Sequence, residues 1–252
     1  MNNILALDFD GVICDGLVEY FASTKKAYQQ IWSDEVSDRL ANDFYPLRPV
    51  IETGWEMPIL LRALVLGIDR ETILHDWRNT ALKLLAQEGL EKQAVVQKLD
   101  GVRDSWIAND LEDWLGLHRF YPGVIDRLKT ILDSETELYI VTTKEGRFVQ
   151  QLLQQQGVNL ARAKIIGKES KRPKYETLRI LRDRHSNPKI FFVEDRLKAL
   201  QQTAQQSDLD SVTLFLADWG YNLESDRNLA RADSRINLLS LSQFNQELSN
   251  WT

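Results

Sequence analysis

The sequence predicts an α/β fold in which a mostly parallel sheet is interrupted, after its first strand, by a long all-helical insertion. Three observations predict it. Short apolar runs of strand length lie at residues 4–9, 138–141, 163–167, 189–193 and 212–216. Amphipathic helical spacings separate the last four, and strands that alternate with helices form parallel sheets covered on both faces. The stretch 16–117 offers helical spacings and no strand-like run.

Each element has a local justification. Ile4-Leu5-Ala6-Leu7 is continuously apolar, as a strand buried on both faces must be, and Asp8-Phe9-Asp10-Gly11 ends it. Val95, Leu99, Val102 and Trp106 share one helical face within the insertion, as do Ile73, Trp77 and Leu84. Five of the seven tryptophans (Trp32, Trp55, Trp77, Trp106 and Trp114) fall there. The insertion leaves the sheet at the strand ends, where α/β folds bind ligands, which predicts a lid rather than a mere addition to the core. Further on, Phe148, Val149, Leu152 and Leu153 form a stripe closed by Gly157. Tyr175, Leu178 and Leu181 recur at helical spacing, as do Leu197 and Leu200.

Composition narrows the function. The 252 residues carry 37 acidic and 31 basic side chains, a formal charge of −6, with 43% apolar residues. An acidic balance without a basic run argues against nucleic acid as partner. No apolar stretch reaches the ~20 residues of a membrane span, and residues 1–4 lack the charged start of a secretory signal. The single cysteine, Cys14, has no internal partner and reads as a small apolar filler. The expectation is a soluble, cytoplasmic, globular protein of undetermined oligomeric state.

Four places carry chemistry. Alternation puts Asp8 and Asp10 on one side of an extended backbone, and Gly11 lets the chain turn away at once. Carboxylates this close repel unless a cation or a shared proton lies between them. The pair is therefore a metal site of oxygen ligands, a nucleophile with a neighbouring acid/base, or a simple Asp-Gly turn. Glu194 and Asp195 end a second apolar strand. Capping of the next helix explains one of these acids and leaves the other without a reason, so Mg²⁺ held between the two strand ends is the economical reading. Thr142 and Thr143 close a third strand, either as a helix N-cap or as a hydroxyl with backbone N–H groups for an anion. Lys168, Lys171, Arg172 and Lys174 lie in a charged loop, where one inward lysine would clamp a phosphoryl oxygen.

In this order, the four places resemble the motifs of the haloacid dehalogenase superfamily. Asp8-Phe9-Asp10-Gly11-Val12-Ile13-Cys14-Asp15 looks like the first motif, Ile140-Val141-Thr142-Thr143-Lys144 like the second, and Phe191-Phe192-Val193-Glu194-Asp195 like the fourth. The third is a lysine; Lys174 fits its placement best, with Lys171 and Lys168 as candidates. The resemblance implies a Rossmann-like catalytic core over residues 1–15 and 118–252 and a helical cap over 16–117. It implies a Mg²⁺-dependent phosphatase acting on a small phosphorylated metabolite. Asp8 would attack phosphorus, and Asp10 would serve as acid and then base. Thr142 would bind the phosphoryl oxygens, with Gly11 and Thr143 beside the substrate. Mg²⁺ would be held by Asp8, the Asp10 carbonyl, Asp195 and Glu194. An acid at Asp10 favours phosphate chemistry over carbon–halogen cleavage. A phosphomutase shares every motif, and a non-catalytic binding or regulatory protein could share the fold. In the insertion, Arg48 and Arg62 are candidates to meet a second anionic group of the substrate. His75, His118 and His185 match no motif and read as structural or surface residues.

Overall fold

A computed structural model describes residues 3–185 and 188–251. The chain divides into two units, Met1–Asp15 with Arg119–Thr252, and Gly16–His118. Among the described residues the first holds every strand: β1 (Asn3–Leu7), β2 (Cys14–Asp15), β3 (Arg119–Phe120), β4 (Glu137–Val141), β5 (Ile165–Ile166), β6 (Lys189–Glu194), β7 (Thr213–Ala217) and β8 (Ile236–Leu239). Six form one parallel sheet in the order β5-β4-β1-β6-β7-β8, while β2 and β3 pair antiparallel.

The order follows from burial. In β1, Ile4 and Ala6 point to one face and Leu5 and Leu7 to the other, and all four are wholly buried. Such a strand belongs in the middle of a sheet, and β1 sits there between β4 and β6. Ile4 and Ala6 pack into a core with Val141, Phe192, Leu214 and Leu216 from neighbouring strands. Leu178 and Leu181 of the helix Lys174–Arg184, and Leu197 and Leu200 of the helix Leu197–Ala204, complete it. The chain runs from β1 out to β4 and β5, then returns across β1 to β6. That reversal opens a crevice at the carboxyl ends of β1, β4 and β6, the place where sheets of this kind bind ligands.

Three local expectations need correction. The strand expected at 163–167 is only Ile165–Ile166, because Arg162–Lys164 closes a 3₁₀ turn in which Lys164 N donates to Ala161 O at 2.8 Å. The sheet also has an unexpected edge strand, β8, where only Ile236 and Leu239 are buried and the apolar run is short. Finally, neither Thr142 nor Thr143 caps a helix. The helix begins at Gly146 after Glu145, and Thr142 Oγ1 instead accepts from Lys144 N at 3.2 Å, a local turn that takes the hydroxyl before a helix can.

Among its described residues the second unit is helical throughout, built on Leu17–Trp32, Glu56–Val65, Arg70–Gln87 and Lys92–Asn109. Ile73, Trp77 and Leu84 are buried, as are Val95, Leu99 and Val102, so both apolar faces lie inward. Pro49 sits in a 3₁₀ segment, Tyr45–Val50, that breaks the helical run. Glu19, 1% exposed, is held by Arg103 at 2.8 and 2.9 Å, by Ser23 Oγ at 2.6 Å and by Trp114 Nε1 at 3.1 Å. A buried carboxylate needs such a set of donors. Arg62 gives its guanidinium to Glu88 at 2.8 Å and Tyr28 Oη at 3.0 Å, and Arg48 stacks over Tyr20 and donates to Ile51 O. Among the described residues, no helix is long and apolar enough to cross a membrane.

Candidate active site

The site is assembled from strand ends. Asp8 N continues the ladder of β1 by donating to Val193 O at 2.9 Å, which fixes Asp8 beside the end of β6. The next residues fold back tightly: Ile13 N and Cys14 N both donate to Phe9 O at 2.9 Å, and Gly11 N donates to Cys14 O at 2.8 Å. Gly11 has φ +86°, and a Cβ there would fall 2.1 Å from Asp195 Oδ2. Only glycine lets this turn press against the acidic end of β6.

Asp8, Glu194 and Asp195 are buried, and a carboxylate oxygen from each lies within 4.8 Å of the others. Lys174, at the start of its helix, reaches between them, with Nζ 2.9 Å from Asp8 Oδ1 and 2.5 Å from Glu194 Oε2. Lys168 and Lys171 instead line a cavity with Thr142 and Thr143. Glu194 and Asp195 do not cap the next helix, whose N-cap is Arg196. Glu194 Oε1 accepts from Arg196 N at 3.1 Å, and Asp195 Oδ2 accepts from Tyr221 N at 2.8 Å. Asn222 Nδ2 donates to Asp195 O at 3.1 Å. Tyr221 and Asn222 escaped the sequence reading; the available signal was Trp219-Gly220-Tyr221 just past the end of β7.

Asp10 stands apart from the three. Its carboxylate, about one-fifth exposed, faces Lys144 Nζ at 3.3 and 3.5 Å. Thr142 is buried at the end of β4, while Thr143 is exposed. Cys14 is wholly buried, which pushes its thiol pKa up. His118 is buried in the helical unit against Leu115 O, His185 contacts Glu137, and His75 is exposed.

Three buried carboxylates share the Lys174 ammonium, with the Arg196 guanidinium also acting on Asp195. Burial, and then the charge of Glu194, push Asp8 up to about 7 against the pull of Lys174. Burial and the charge of Asp8 push Asp195 up to about 6, and burial raises Glu194 as well. The carboxylates in turn hold the Lys174 ammonium firmly protonated. Asp8 Oδ1 is buried, and its partner is the Lys174 ammonium at 2.9 Å. A divalent cation fits this set: three hard oxygen donors within 4.8 Å of one another, with acids in excess of the bases that face them.

No protein-family model and no curated protein matches this sequence. The fold, by contrast, has clear counterparts among solved structures. A predicted phosphatase from Clostridium acetobutylicum superposes with a TM-score of 0.57 at 14% identity, over 97% of this chain and 97% of that one. A haloacid dehalogenase-like family hydrolase from Streptococcus pneumoniae gives 0.58 at 12% identity, over 95% of this chain and 94% of that one. A predicted phosphoglycolate phosphatase from Haemophilus somnus gives 0.58 at 16% identity, over 88% and 87%. This chain therefore shares the fold of these solved structures: a parallel sheet of this order, with a helical unit inserted after β2.

Proposed function

We propose that this chain is a Mg²⁺-dependent phosphoric monoester hydrolase acting on a small phosphorylated metabolite. The observation that carries the proposal is the buried grouping of Asp8, Glu194 and Asp195 around the single ammonium of Lys174. Folding gains nothing from crowding three carboxylates into one buried site, whereas a cation and a phosphoryl group make use of them. Asp8, Asp195, Glu194 and the Asp10 carbonyl would hold Mg²⁺, which when bound screens the phosphate dianion from the carboxylates.

The chain's own residues divide the reaction in two. In the first half, an Asp8 oxygen bonds to phosphorus as the ester P–O bond breaks, and Asp10 gives its proton to the departing alkoxide. In the second, Asp10 takes a proton from a water whose oxygen attacks phosphorus, the aspartyl–phosphate bond breaks, and inorganic phosphate leaves. Lys174 would stay charged throughout and keep Asp8 aimed, and the buried Thr142 hydroxyl would donate to a phosphoryl oxygen.

The test is a panel of phosphate esters assayed with Mg²⁺, then with EDTA. Phosphate release that EDTA abolishes, and that Asp8→Asn lowers by about a thousandfold or more, is the expected result. Isomerised product without free phosphate would identify a mutase. An Asp8→Asn protein as active as the wild type would overturn the proposal.

A further inference from the structure

Next to the carboxylate cluster, the ends of β4 and β5 and the loop after them enclose a cavity of about 220 Å³. Its lining includes Thr142, Thr143, Lys168, Lys171, Arg172 and Lys174, and contains no acidic side chain. Lys174 is neutralised by Asp8 and Glu194. Lys168, Lys171 and Arg172 form no ion pair among the described residues, although the chain has six more acids than bases. The partly buried Arg179 and Arg182 share Asp208, and Arg227 shares Glu224 with Arg231. The acid of this loop, Glu169, is committed elsewhere, to Arg162 and to Gly146 N.

The backbone is specialised to present these cations. A Cβ on Gly167 would fall 2.5 Å from Gly146 N and 2.7 Å from Lys144 O, so only glycine lets the loop lie against the segment that follows Thr143. The 3₁₀ turn Lys168–Ser170 then ends with Lys171 at φ 52°, left-handed for a residue with a side chain, at a cost of about 1 kcal/mol or more.

We infer that this cavity is a subsite for a second anionic group, a carboxylate or a phosphate, carried by the ester whose phosphoryl group reacts at Asp8. The inference rests on the hydrolase reading above. Two ammonium groups and a guanidinium match the charge and the paired oxygens of such a group, and the shared walls at Thr142 and Lys174 keep it within a few bonds of the phosphoryl centre. The substrate class is therefore a short phosphate ester with an anionic tail.

The test compares propyl phosphate with 3-phosphooxypropanoate and 1,3-propanediol bisphosphate. The wild type is expected to prefer the doubly anionic esters, and Lys168→Ala/Lys171→Ala/Arg172→Ala to lower that preference in kcat/KM about tenfold or more, mainly through KM. Lys171→Gly keeps the left-handed turn while deleting its charge, and is expected to lower the preference in the same direction. Calorimetric titration of the same esters into Asp8→Asn protein reads the subsite without turnover. If the wild type hydrolyses none of the esters, the hydrolase reading falls, and the subsite still stands on tail-dependent binding that the triple variant loses. Equal handling of propyl phosphate and its anionic analogues overturns the inference. So does inorganic sulfate that binds these three residues without competing with the doubly anionic ester, since the occupant is then a free anion.

Discussion

The carboxylate of Asp10 meets the ammonium of Lys144 almost symmetrically, at 3.3 and 3.5 Å, and both side chains are largely shielded. An acid/base that must first give and then take a proton has to keep one orientation through both halves of the reaction. On the proposed mechanism, the ion pair with Lys144 would restrict the Asp10 rotamer and make Lys144 a positioning residue. Lys144→Met is expected to lower kcat about tenfold to a hundredfold while KM changes less, and Lys144→Arg to recover much of the loss. Steady-state kinetics on one accepted ester checks both. A loss carried entirely by KM, or no rescue by arginine, would place Lys144 outside the proton-transfer geometry. Nothing in the sequence singles this residue out, for a physical reason. A lysine just ahead of a helix looks like solvated surface, and its partner lies 134 positions away. Lys174 stands out only because its loop offers several lysines to a centre that the resemblance expects to need one.

Strands and helices were the legible level. The apolar runs of β1, β4, β6 and β7 are continuous because both faces are buried, so they stand out in the sequence. β5 and β8 lie at the two edges of the sheet, where fewer residues must be apolar, and there the expected bounds or the strand itself were missed. The site was legible for the same reason: charged residues ending buried strands contrast with what precedes them. What the sequence concealed was the contact between elements, such as the turn at Gly11 against the end of β6. Gly11→Ala tests that contact. The new methyl must take a left-handed φ and would meet Asp195 Oδ2 at 2.1 Å, Asp195 Cγ at 2.5 Å and Tyr221 Cδ2 at 3.1 Å. Strain and overpacking together are expected to cost about 2–4 kcal/mol in urea unfolding. The displaced Asp195 carboxylate should also raise the Mg²⁺ concentration needed for half-maximal activity. A variant as stable as the wild type would mean that the β6 end yields freely.

At the scale of the whole molecule, the charge of −6 conceals two kinds of acid with opposite effects on stability. Surface acids such as Asp208, with Arg179 and Arg182, and Glu224, with Arg227 and Arg231, have pKa values lowered by their partners. Their contribution is present above the ordinary carboxylate range and is lost only as pH falls below it, so it is flat between pH 5 and 8. Asp8 and Asp195 behave in the reverse sense. Their folded pKa values, about 7 and about 6, lie above the unfolded value of 3.8. The stability they contribute is present below that unfolded value and is lost as pH rises through 6 and 7. The ion-free protein is therefore expected to lose a few kcal/mol, on the order of one to three, between pH 5 and pH 8, because each pKa unit is worth about 1.4 kcal/mol before coupling to Lys174 is discounted. Mg²⁺ competes with those protons, so its thermal shift should be small at pH 5 and several degrees larger at pH 8. Asp8→Asn removes one of the repelling charges. It should raise the Tm of the EDTA-treated protein at pH 8, with little change at pH 5, in the same variant that has lost turnover. Melting curves at the two pH values, with and without Mg²⁺, read all of these together. A Tm that rises from pH 5 to pH 8 in EDTA, or a Mg²⁺ shift independent of pH, would show that the three carboxylates are not held against their own charge and that the buried cluster is no cation site.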